Sequence, residues 1–472
     1  MHTFFKLSLM AAAIALAACA SVSPDGGAAD INALTSGKTA GVDAQVALAD
    51  TAASRDAVAK LLSEPISAES AVRIALLNNP GLHASLATLG ISDADRVQAG
   101  SLPNPHFSIG RFAEHDKIEI ERALKFNVVG LLCLPWRAKW QNQQHELAKL
   151  AAAQEVIKLA ADTRKAWINA VAAQQTAAYM ADAKLAAEAG GELARRMARV
   201  GNWSRLSQAR EQMFLADAAT QMAKAQQAAF SEREKLIRLM GLWGTQTEFK
   251  LAERLPDIPK TPLEVGNVEE RALRERLDVR SSVAESGYVA DSLGMVKASG
   301  FVNALELGYK RSSTLDNAAG TQETKRGWEL ELPLPIFDWG GAANARAQGV
   351  YMRAVARVRQ SAINARSEAR EAYHGYRTAY DVAVHYRDEV MPLRKFISDE
   401  VLLRYNGMLL GVFDLLGDMR GNMMAVNAAI EAQRDFWLAD ADLQTTLSGT
   451  SAGGLAGIKA GASGAGEAKA GH

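Results

Sequence analysis

Residues 117–128 read KIEIERALKFNV, and this stretch decides the class of fold. Apolar side chains occupy the even positions on either side of one interruption at Arg122 and Ala123, and mostly charged or amide side chains lie between them. Such alternation has the period of a β-strand with one apolar face and one polar face. An earlier strand is predicted near residues 105–112.

A very long helix is predicted after this strand. From Pro135 to about Val200 the first strong helix breaker is the pair Gly190-Gly191. These roughly 65 residues would extend about 98 Å if they were helical throughout. An Ala-rich helix of that length is typical of a packed rod. A returning helix is predicted over residues 203–241.

The same order of elements is predicted twice, as short helix, helix, two strands, long helix and returning helix. The first repeat lies within residues 65–250 and opens with helices over 67–77 and 81–101. After a linker over residues 251–265, the second repeat lies within 266–448. Its predicted parts are strands at 305–310 and 328–334, a polar loop at 311–325, and helices at 339–403 and 413–448. The predicted fold class is mostly α with a small β part.

The N-terminus has the features of an export signal. Lys6 precedes an apolar segment, and residues 1–18 are predicted to be a signal peptide. Leu16-Ala17-Ala18-Cys19 resembles the bacterial lipobox, in which the cysteine thiol carries diacylglycerol, so Cys19 is the predicted lipidation site. The alternative is an ordinary signal peptide with an incidental cysteine. Residues 19–64 are predicted to form a lipid-anchored extended arm, and residues 449–472 a disordered Gly/Ala-rich tail.

Composition limits the function. The chain has 53 Lys and Arg against 53 Asp and Glu, a net charge of zero, which argues against nucleic-acid binding. After Cys19 no run of about 18 apolar residues occurs, so no transmembrane helix is predicted. If Cys19 is acylated, Cys133 is left alone and no intrachain disulfide can form. Because no transmembrane helix is predicted, any membrane span would consist of strands.

Four strands are too few for such a span. Membrane barrels begin at about eight strands and leave no free edge, because an unpaired backbone group in lipid costs several kcal/mol. Two copies of the chain would supply eight strands and three copies twelve. The alternative is a small soluble sheet beside a coiled coil.

Three motifs resemble the TolC-type outer-membrane efflux family, and its lipidated branch in particular. They are the opening helix Ala71 to Pro80, the strand-to-helix junction Leu334-Pro335-Ile336-Phe337-Asp338-Trp339-Gly340-Gly341, and the turn from Arg404-Tyr405 to Phe413-Asp414-Leu415-Leu416. The resemblance covers about residues 65–448. It implies a homotrimer whose strands form one 12-stranded outer-membrane β-barrel and whose helices form a periplasmic tunnel. It also implies two partners, a periplasmic adaptor protein and an inner-membrane pump.

The resemblance also suggests a periplasmic gate at the turn between the last two long helices. Tyr405 resembles the family tyrosine that holds the closed helices together. Asp414 falls where the family has an aperture aspartate, and Asp418 lies beside the second such position. Threefold symmetry would turn each aspartate into a ring of carboxylates that favours cations. The alternative is that both aspartates only cap or solvate a helix start.

The chain departs from the family pattern at two places. Met408 occupies a turn position where the family usually has glycine, and the first-repeat junction, Cys133-Leu134-Pro135-Trp136-Arg137, lacks the Asp-Gly pair.

The sequence gives little sign of enzyme chemistry or of a cofactor. Glu371-x-x-His374 is a single motif, whereas a di-iron bundle needs two such motifs and two further glutamates. No nucleotide-binding fingerprint is present, so the chain cannot power transport itself. The predicted function is a passive exit duct for small molecules or metal ions. The alternatives are a surface lipoprotein with a structural coiled-coil stalk and a periplasmic metal-binding helical protein, for which Met419, Met423 and Met424 would be soft ligands.

Overall fold

The computed structural model describes residues 21–39, 42, 46, 51–115, 117–299, 306–331 and 340–451. The predicted signal peptide, Cys19, junction residues 334–339 and most of the predicted tail lie outside these residues. The chain divides into two compact units. The first comprises residues 1–31, 84–152 and 279–362, and the second comprises residues 32–83, 153–278 and 363–472.

Helices dominate the described part of the chain, and the predicted mostly α fold with a small β part is confirmed. The elements before residue 250 are α1 (Ala28–Thr35), α2 (Ala52–Leu62), α3 (Ala68–Asn78), α4 (Pro80–Gly100), β1 (His106–Glu114), β2 (Lys117–Asn127), α5 (Val128–Leu132), α6 (Leu134–Arg199), α7 (Arg205–Met240) and a 3₁₀ turn (Gly244–Thr247). After it come α8 (Val268–Glu275), α9 (Leu277–Ser299), β3 (Glu306–Asp316), β4 (Thr321–Glu331), α10 (Gly341–His385), a π-helical turn (Tyr386–Val390), α11 (Met391–Asn406) and α12 (Val412–Ser448). No helix among the described residues combines the length and apolar character needed to cross a membrane.

The first unit contains one antiparallel sheet of four strands in the order β1-β2-β3-β4. The register between β2 and β3 runs without a break from Lys117 opposite Asp316 to Asn127 opposite Glu306. The interruption at Arg122 and Ala123 is therefore a change of side chain and not a bulge. Arg122 stays on the face of Leu124, because alternate residues of a strand share a face.

The predicted polar loop at 311–325 is wrong. Strand β3 continues to Asp316 and β4 begins at Thr321, so the connection is only residues 317–320. The Asp316 carboxylate accepts hydrogen bonds from the amides of Ala318 and Ala319, both at 3.0 Å, and Gly320 has a φ of 63°. Near this connection, polar residues occupy both faces of β3 and β4. The hydropathy of these strand ends therefore does not show the alternation of a β-strand.

The predicted extended arm over residues 19–64 is also wrong, because its described part contains α1 and α2. Helix α2 starts with a capping box, in which Thr51 accepts from the Ser54 amide and Ser54 accepts from the Thr51 amide. Ile31 in α1 and Val58 in α2 are buried. The burial of single apolar residues stabilises these short helices. In an Ala-rich segment such isolated residues produce little hydrophobic periodicity, so the sequence did not predict the helices.

Within the second unit, the Asn-Asn-Pro end of α3 caps another helix. The Asn78 side-chain amide donates to the carbonyls of Met240 and Gly241, at 3.1 and 2.9 Å, and that of Asn79 donates to Leu239 at 2.8 Å. These carbonyls end α7 and have no partner within the helix. A Cβ atom on Gly241 would lie 2.6 Å from the Asn78 carbonyl oxygen, so only glycine permits this approach.

The helix predicted over 339–403 is interrupted by the π-helical turn before Pro392. Proline has no amide hydrogen and would clash with the carbonyl four residues earlier in a regular helix. The backbone instead widens, and the Met391 amide donates to Tyr386, five residues earlier. The helical periodicity of the sequence continues through the π-helical turn, so the sequence pattern does not reveal the turn.

Tyrosines of α10 fasten the segment that links the two halves of the chain. The Tyr380 hydroxyl donates to the Lys260 carbonyl at 2.7 Å, and the Tyr376 hydroxyl accepts from the Leu263 amide at 2.8 Å. Both rings lie in a buried cluster with Phe436 of α12. The linker is therefore part of the packed core of this unit.

Both long helices of the second unit end in the same Schellman motif. After α6 the amides of Gly201 and Asn202 donate to Ala198 and Met197, and after α11 those of Met408 and Leu409 donate to Tyr405 and Arg404. The motif needs a left-handed residue, which is Gly201 with φ 81° and Met408 with φ 60°. The turn therefore keeps its geometry although Met408 replaces the family glycine.

The strain at Met408 predicts a stabilising substitution. A non-glycine residue in the left-handed region costs about 1–2 kcal/mol, asparagine tolerates it better, and the Met408 side chain is 93% exposed and packs little. We expect Met408→Asn to raise the free energy of unfolding by about 0.5–1 kcal/mol. Gly201→Ala, the matched change in the other turn, should lower it. Denaturant unfolding measures both, and a loss of stability in Met408→Asn would contradict the assignment of strain.

A pH dependence is predicted from Asp440 of α12. Burial raises the pKa of this carboxyl, against the opposing effects of Arg164 and of a hydrogen bond from Gln444. The folded protein therefore holds the proton more tightly than the unfolded chain, and this stabilisation is lost as the pH rises through the folded-state pKa. Asp440→Asn should be more stable than the wild type above that pH and equal to it in acid. Thermal unfolding across pH tests this, with the exposed Asp399→Asn as a control that should show no such difference.

Candidate functional site

The predicted gate residues lie around the turn between α11 and α12, in the second unit. Tyr405 is half-buried in the last turn of α11, and its backbone carbonyl accepts the Met408 amide at 3.0 Å. Its hydroxyl makes no hydrogen bond to any residue in the described part of the chain. Tyr405 therefore contributes to the turn through its backbone, and its ring remains available to other groups.

Asp414 caps the start of α12. Its carboxylate accepts the Gly411 amide at 3.1 Å, and the side chain is exposed. Gly411 has no side chain to cap the helix, whereas at the start of α7 the Ser204 hydroxyl accepts the Ser207 amide at 3.0 Å. Asp414 therefore caps the helix start, and this one hydrogen bond leaves its negative charge facing solvent.

Asp418 is in a different environment from Asp414. Its side chain is only 6% exposed, and its Oδ1 lies 3.3 Å from Nη2 of Arg394 on α11. The same guanidinium donates to the Asp418 carbonyl at 3.0 Å. A Cβ atom on Gly421 would lie 2.6 Å from Arg394 Nη2, so glycine makes room for the arginine. The structure therefore places Asp418 in an ion pair between two helices.

A second ion pair, which the sequence did not indicate, joins α7 to α12. Arg420 donates through Nη2 to Oε1 of Glu211, whose side chain is 3% exposed, and its guanidinium lies 4.5 Å from the ring centroid of Phe214. Counted from the helix caps, Glu211 is seven residues after Ser204 and Asp418 is seven residues after Gly411. Aligning the two turns on their caps would have revealed this equivalence.

The beginnings of α7 and α12 also pack through apolar contacts. The rings of Trp203 and Phe413 stack in parallel with centroids 4.2 Å apart and an interplanar angle of 9°. Leu416 is buried, and a Cβ atom on Gly190 would lie 2.9 Å from it. We call the set Trp203, Glu211, Arg394, Phe413, Asp418 and Arg420 the turn cluster. It joins α7, α11 and α12 by charge pairs and stacking, which separation of the helices would break.

The residues considered for metal chemistry do not form a site in the described part of the chain, where no group of three His, Cys, Asp or Glu could hold a metal ion. His385 pairs with Glu389 at 3.1 Å on the same helix. Met423 is buried, whereas Met424 is exposed. The described residues thus give no support to the metal-binding alternative.

Comparison with known proteins identifies the fold. No protein-family profile matches the chain, and no curated protein matches it. Solved structures do match. CusC is similar with a TM-score of 0.66 at 15% identity, covering 81% of this chain and 92% of CusC. VceC of Vibrio cholerae gives a TM-score of 0.63 at 15% identity, covering 81% and 96%.

A third match is the open state of the MtrE outer-membrane channel of Neisseria gonorrhoeae, with a TM-score of 0.63 at 17% identity over 81% of this chain and 89% of MtrE. At these identities the likeness concerns the fold. It confirms the resemblance inferred from the sequence motifs, since several of these structures are outer-membrane channels. The chain has the fold of the TolC-type outer-membrane efflux channels.

Proposed function

We propose that this protein is the outer-membrane channel of a tripartite efflux system, a passive exit duct for small molecules or metal ions. An inner-membrane pump and a periplasmic adaptor protein would deliver the cargo. The observation that carries the proposal is the fold shared with CusC over 81% of this chain and 92% of that one. CusC and MtrE are described as channels, which supports a role without catalysis.

The sheet supports assembly as a homotrimer. Strands β1 and β4 are its two edges, and on one side each has no partner strand among the residues that the structure describes. If the sheet lies in lipid, these groups need partners from another copy, because an open edge in lipid costs several kcal/mol per unpaired group. Three four-stranded sheets supply the twelve strands of the implied β-barrel, with the helices as a periplasmic tunnel.

The side chains of the sheet support a membrane location. Leu124, Tyr309 and Trp328 are in register on one face and are exposed in the single chain. Outer-membrane barrels carry apolar and aromatic residues toward lipid and polar residues toward the lumen. The proposed location is the outer membrane, with a lipid anchor at Cys19 as a further part of the proposal.

The turn cluster supports a gate that includes Tyr405, Asp414 and Asp418. The exposed Asp414 would form a ring of carboxylates in a trimer and favour cations. Asp418 would act differently, because its pair with Arg394 holds α11 against α12. Together with the Arg420–Glu211 pair, it would hold the helices in a closed arrangement.

The membrane location predicts how an added charge affects stability. Leu330→Arg should destabilise the inserted protein by about 2–4 kcal/mol if this side chain lies near the middle of the bilayer. Gln322→Arg, on the same strand and face but near the hairpin turn, should cost about 0–1 kcal/mol. Unfolding from lipid vesicles measures both. Equal effects would contradict the placement of this face in lipid, and a monomer in detergent would contradict the trimer.

The gate predicts a change in conductance. Arg420→Gln leaves the buried Glu211 carboxylate unpaired, which disfavours the closed packing. We expect the basal open probability in planar bilayers to rise on the order of tenfold, which corresponds to about 1.4 kcal/mol. Arg404→Gln is the control, because in the described part of the chain the Arg404 side chain pairs with Glu400 of its own helix, at 2.7 Å, and with no residue of another helix.

The same recordings test the role of Asp414. Asp414→Asn keeps an acceptor for the Gly411 amide but removes the charge, so cation preference should fall while basal opening stays low. If Arg420→Gln opens no more often than Arg404→Gln, the turn cluster does not hold the gate closed. If the wild type forms no channels, the proposed function is wrong.

A further inference from the structure

The two faces of the sheet in the first unit carry different kinds of charge. Directly paired residues of antiparallel strands share a face. The row Phe107, Leu124, Tyr309 and Trp328 is in register across all four strands and defines what we call the aromatic face. The opposite face, defined by the row Glu121, Ser312 and Lys325, is here called the acidic face.

Every carboxylate and every lysine of the four strands lies on the acidic face. The carboxylates are Glu114, Glu119, Glu121, Glu306, Asp316, Glu323, Glu329 and Glu331, and the lysines are Lys117, Lys125, Lys310 and Lys325. They pair with each other, as in Lys310–Glu121 at 3.1 Å, Lys125–Glu331 at 3.4 Å and Lys117–Asp316 at 3.7 Å. Eight carboxylates thus stand against four lysines, so this face keeps an excess of negative charge after its ion pairs are counted.

The strand arginines all lie on the aromatic face. Arg122 is directly opposite Arg311, and Arg311 is directly opposite Arg326, so three guanidinium groups form a row across β2, β3 and β4. All three residues are exposed, and none forms an ion pair with another residue in the described part of the chain. Like charges directly opposite each other destabilise a sheet. The row therefore needs anions that its own face does not supply.

A neighbouring copy of the chain would not supply them. The edge strand β1 contributes Phe107, Ile109, Arg111 and Ala113 to the aromatic face, and its only carboxylate, Glu114, lies on the other face. Pairing of β1 with β4 of another copy would place Arg111 on the same face and add positive charge. The four described strands therefore offer no compensating anion on the aromatic face, either from one copy or from two paired copies.

We propose that the arginine row Arg122, Arg311 and Arg326 binds the phosphate groups of an anionic lipid in the membrane around the sheet. The inference rests on the proposed function, which turns the aromatic face toward lipid. The row is two residues from the edge-to-face pair Tyr309 and Trp328, whose ring centroids are 5.3 Å apart. Aromatic side chains of this kind mark the boundary between hydrocarbon and headgroups.

The position and chemistry of the row favour a phosphorylated headgroup. The row lies on the hairpin side of the aromatic pair, away from the strand ends that lead into α5 and toward α10, and so at headgroup level of the outer leaflet if the helices are periplasmic. Guanidinium groups bind phosphate oxygens in a bidentate manner, and a strip of them can hold a lipid with two phosphates better than lysines could. The sheet itself shows this division, with Lys117, Lys125 and Lys310 paired to carboxylates on the other face.

The test measures lipid binding to the purified full-length protein by native mass spectrometry. The probes are lipid A with two phosphates and the same lipid after removal of both. The wild type should bind the phosphorylated form preferentially. The triple variant Arg122→Gln, Arg311→Gln, Arg326→Gln should bind it on the order of a hundredfold more weakly, and Arg311→Gln alone about tenfold, since each loses charge-assisted hydrogen bonds.

The matched control is the triple variant Lys117→Gln, Lys310→Gln, Lys325→Gln, which loses the same charge from the acidic face and should bind as the wild type does. Equal loss in both triple variants, or no preference of the wild type for phosphate, would overturn the proposal. Displacement of lipid A by equimolar inorganic phosphate would show a simple anion site and would overturn the lipid assignment. If the arginine triple variant does not assemble, the binding of phosphorylated lipid A to the single variant Arg311→Gln decides the test.

Conductance in bilayers of zwitterionic lipid separates this proposal from the channel function. A wild type that conducts but shows no preference for phosphorylated lipid contradicts the arginine site alone. A wild type that neither conducts nor forms a trimer contradicts the proposed function.

Discussion

The unpaired edges of the four-stranded sheet are the constraint on which the rest of the proposed assembly depends. Within the described residues, each of β1 and β4 has one side without a strand partner. In water such an edge invites association, and in lipid it must be paired. The exposed aromatic face raises the same demand, because a monomer in water would leave Phe107, Tyr309 and Trp328 against solvent. Both demands are met if copies of the chain close a barrel in a membrane.

The charges of the sheet extend this reasoning. On the acidic face, lysines form ion pairs with carboxylates of neighbouring strands, such as Lys125 with Glu331 and Lys310 with Glu121. On the aromatic face the arginines in register have no such partner among the residues that the structure describes. Self-repulsion of this kind is tolerable only where an external anion is plentiful. A bilayer surface with phosphate groups is such a place, which links the arrangement of side chains to the location of the protein.

The two helix turns share a backbone geometry but differ in the ion pairs beside them. Gly201 and Met408 hold the same left-handed position, and Ser204 and Gly411 begin the returning helices. The carboxylates seven residues later have diverged in their partners. Glu211 pairs with Arg420 of α12, whereas Asp418 pairs with Arg394 of α11. One pair joins the two halves of the chain and the other closes a single helical hairpin, so the two can respond differently to the same force.

The sequence by itself determined the elements whose period is strong. Alternation in residues 117–128 gave strand β2, and the lack of helix breakers gave α6 from Leu134 to Arg199. It also placed Tyr405, Asp414 and Asp418 at one turn. Only the tertiary structure decided what these side chains do, since Asp418 meets Arg394 and Glu211 meets Arg420 through packing of helices distant in sequence. The length of β3 and the arginine row were likewise hidden, because register between strands, and not hydropathy along one strand, brings those residues together.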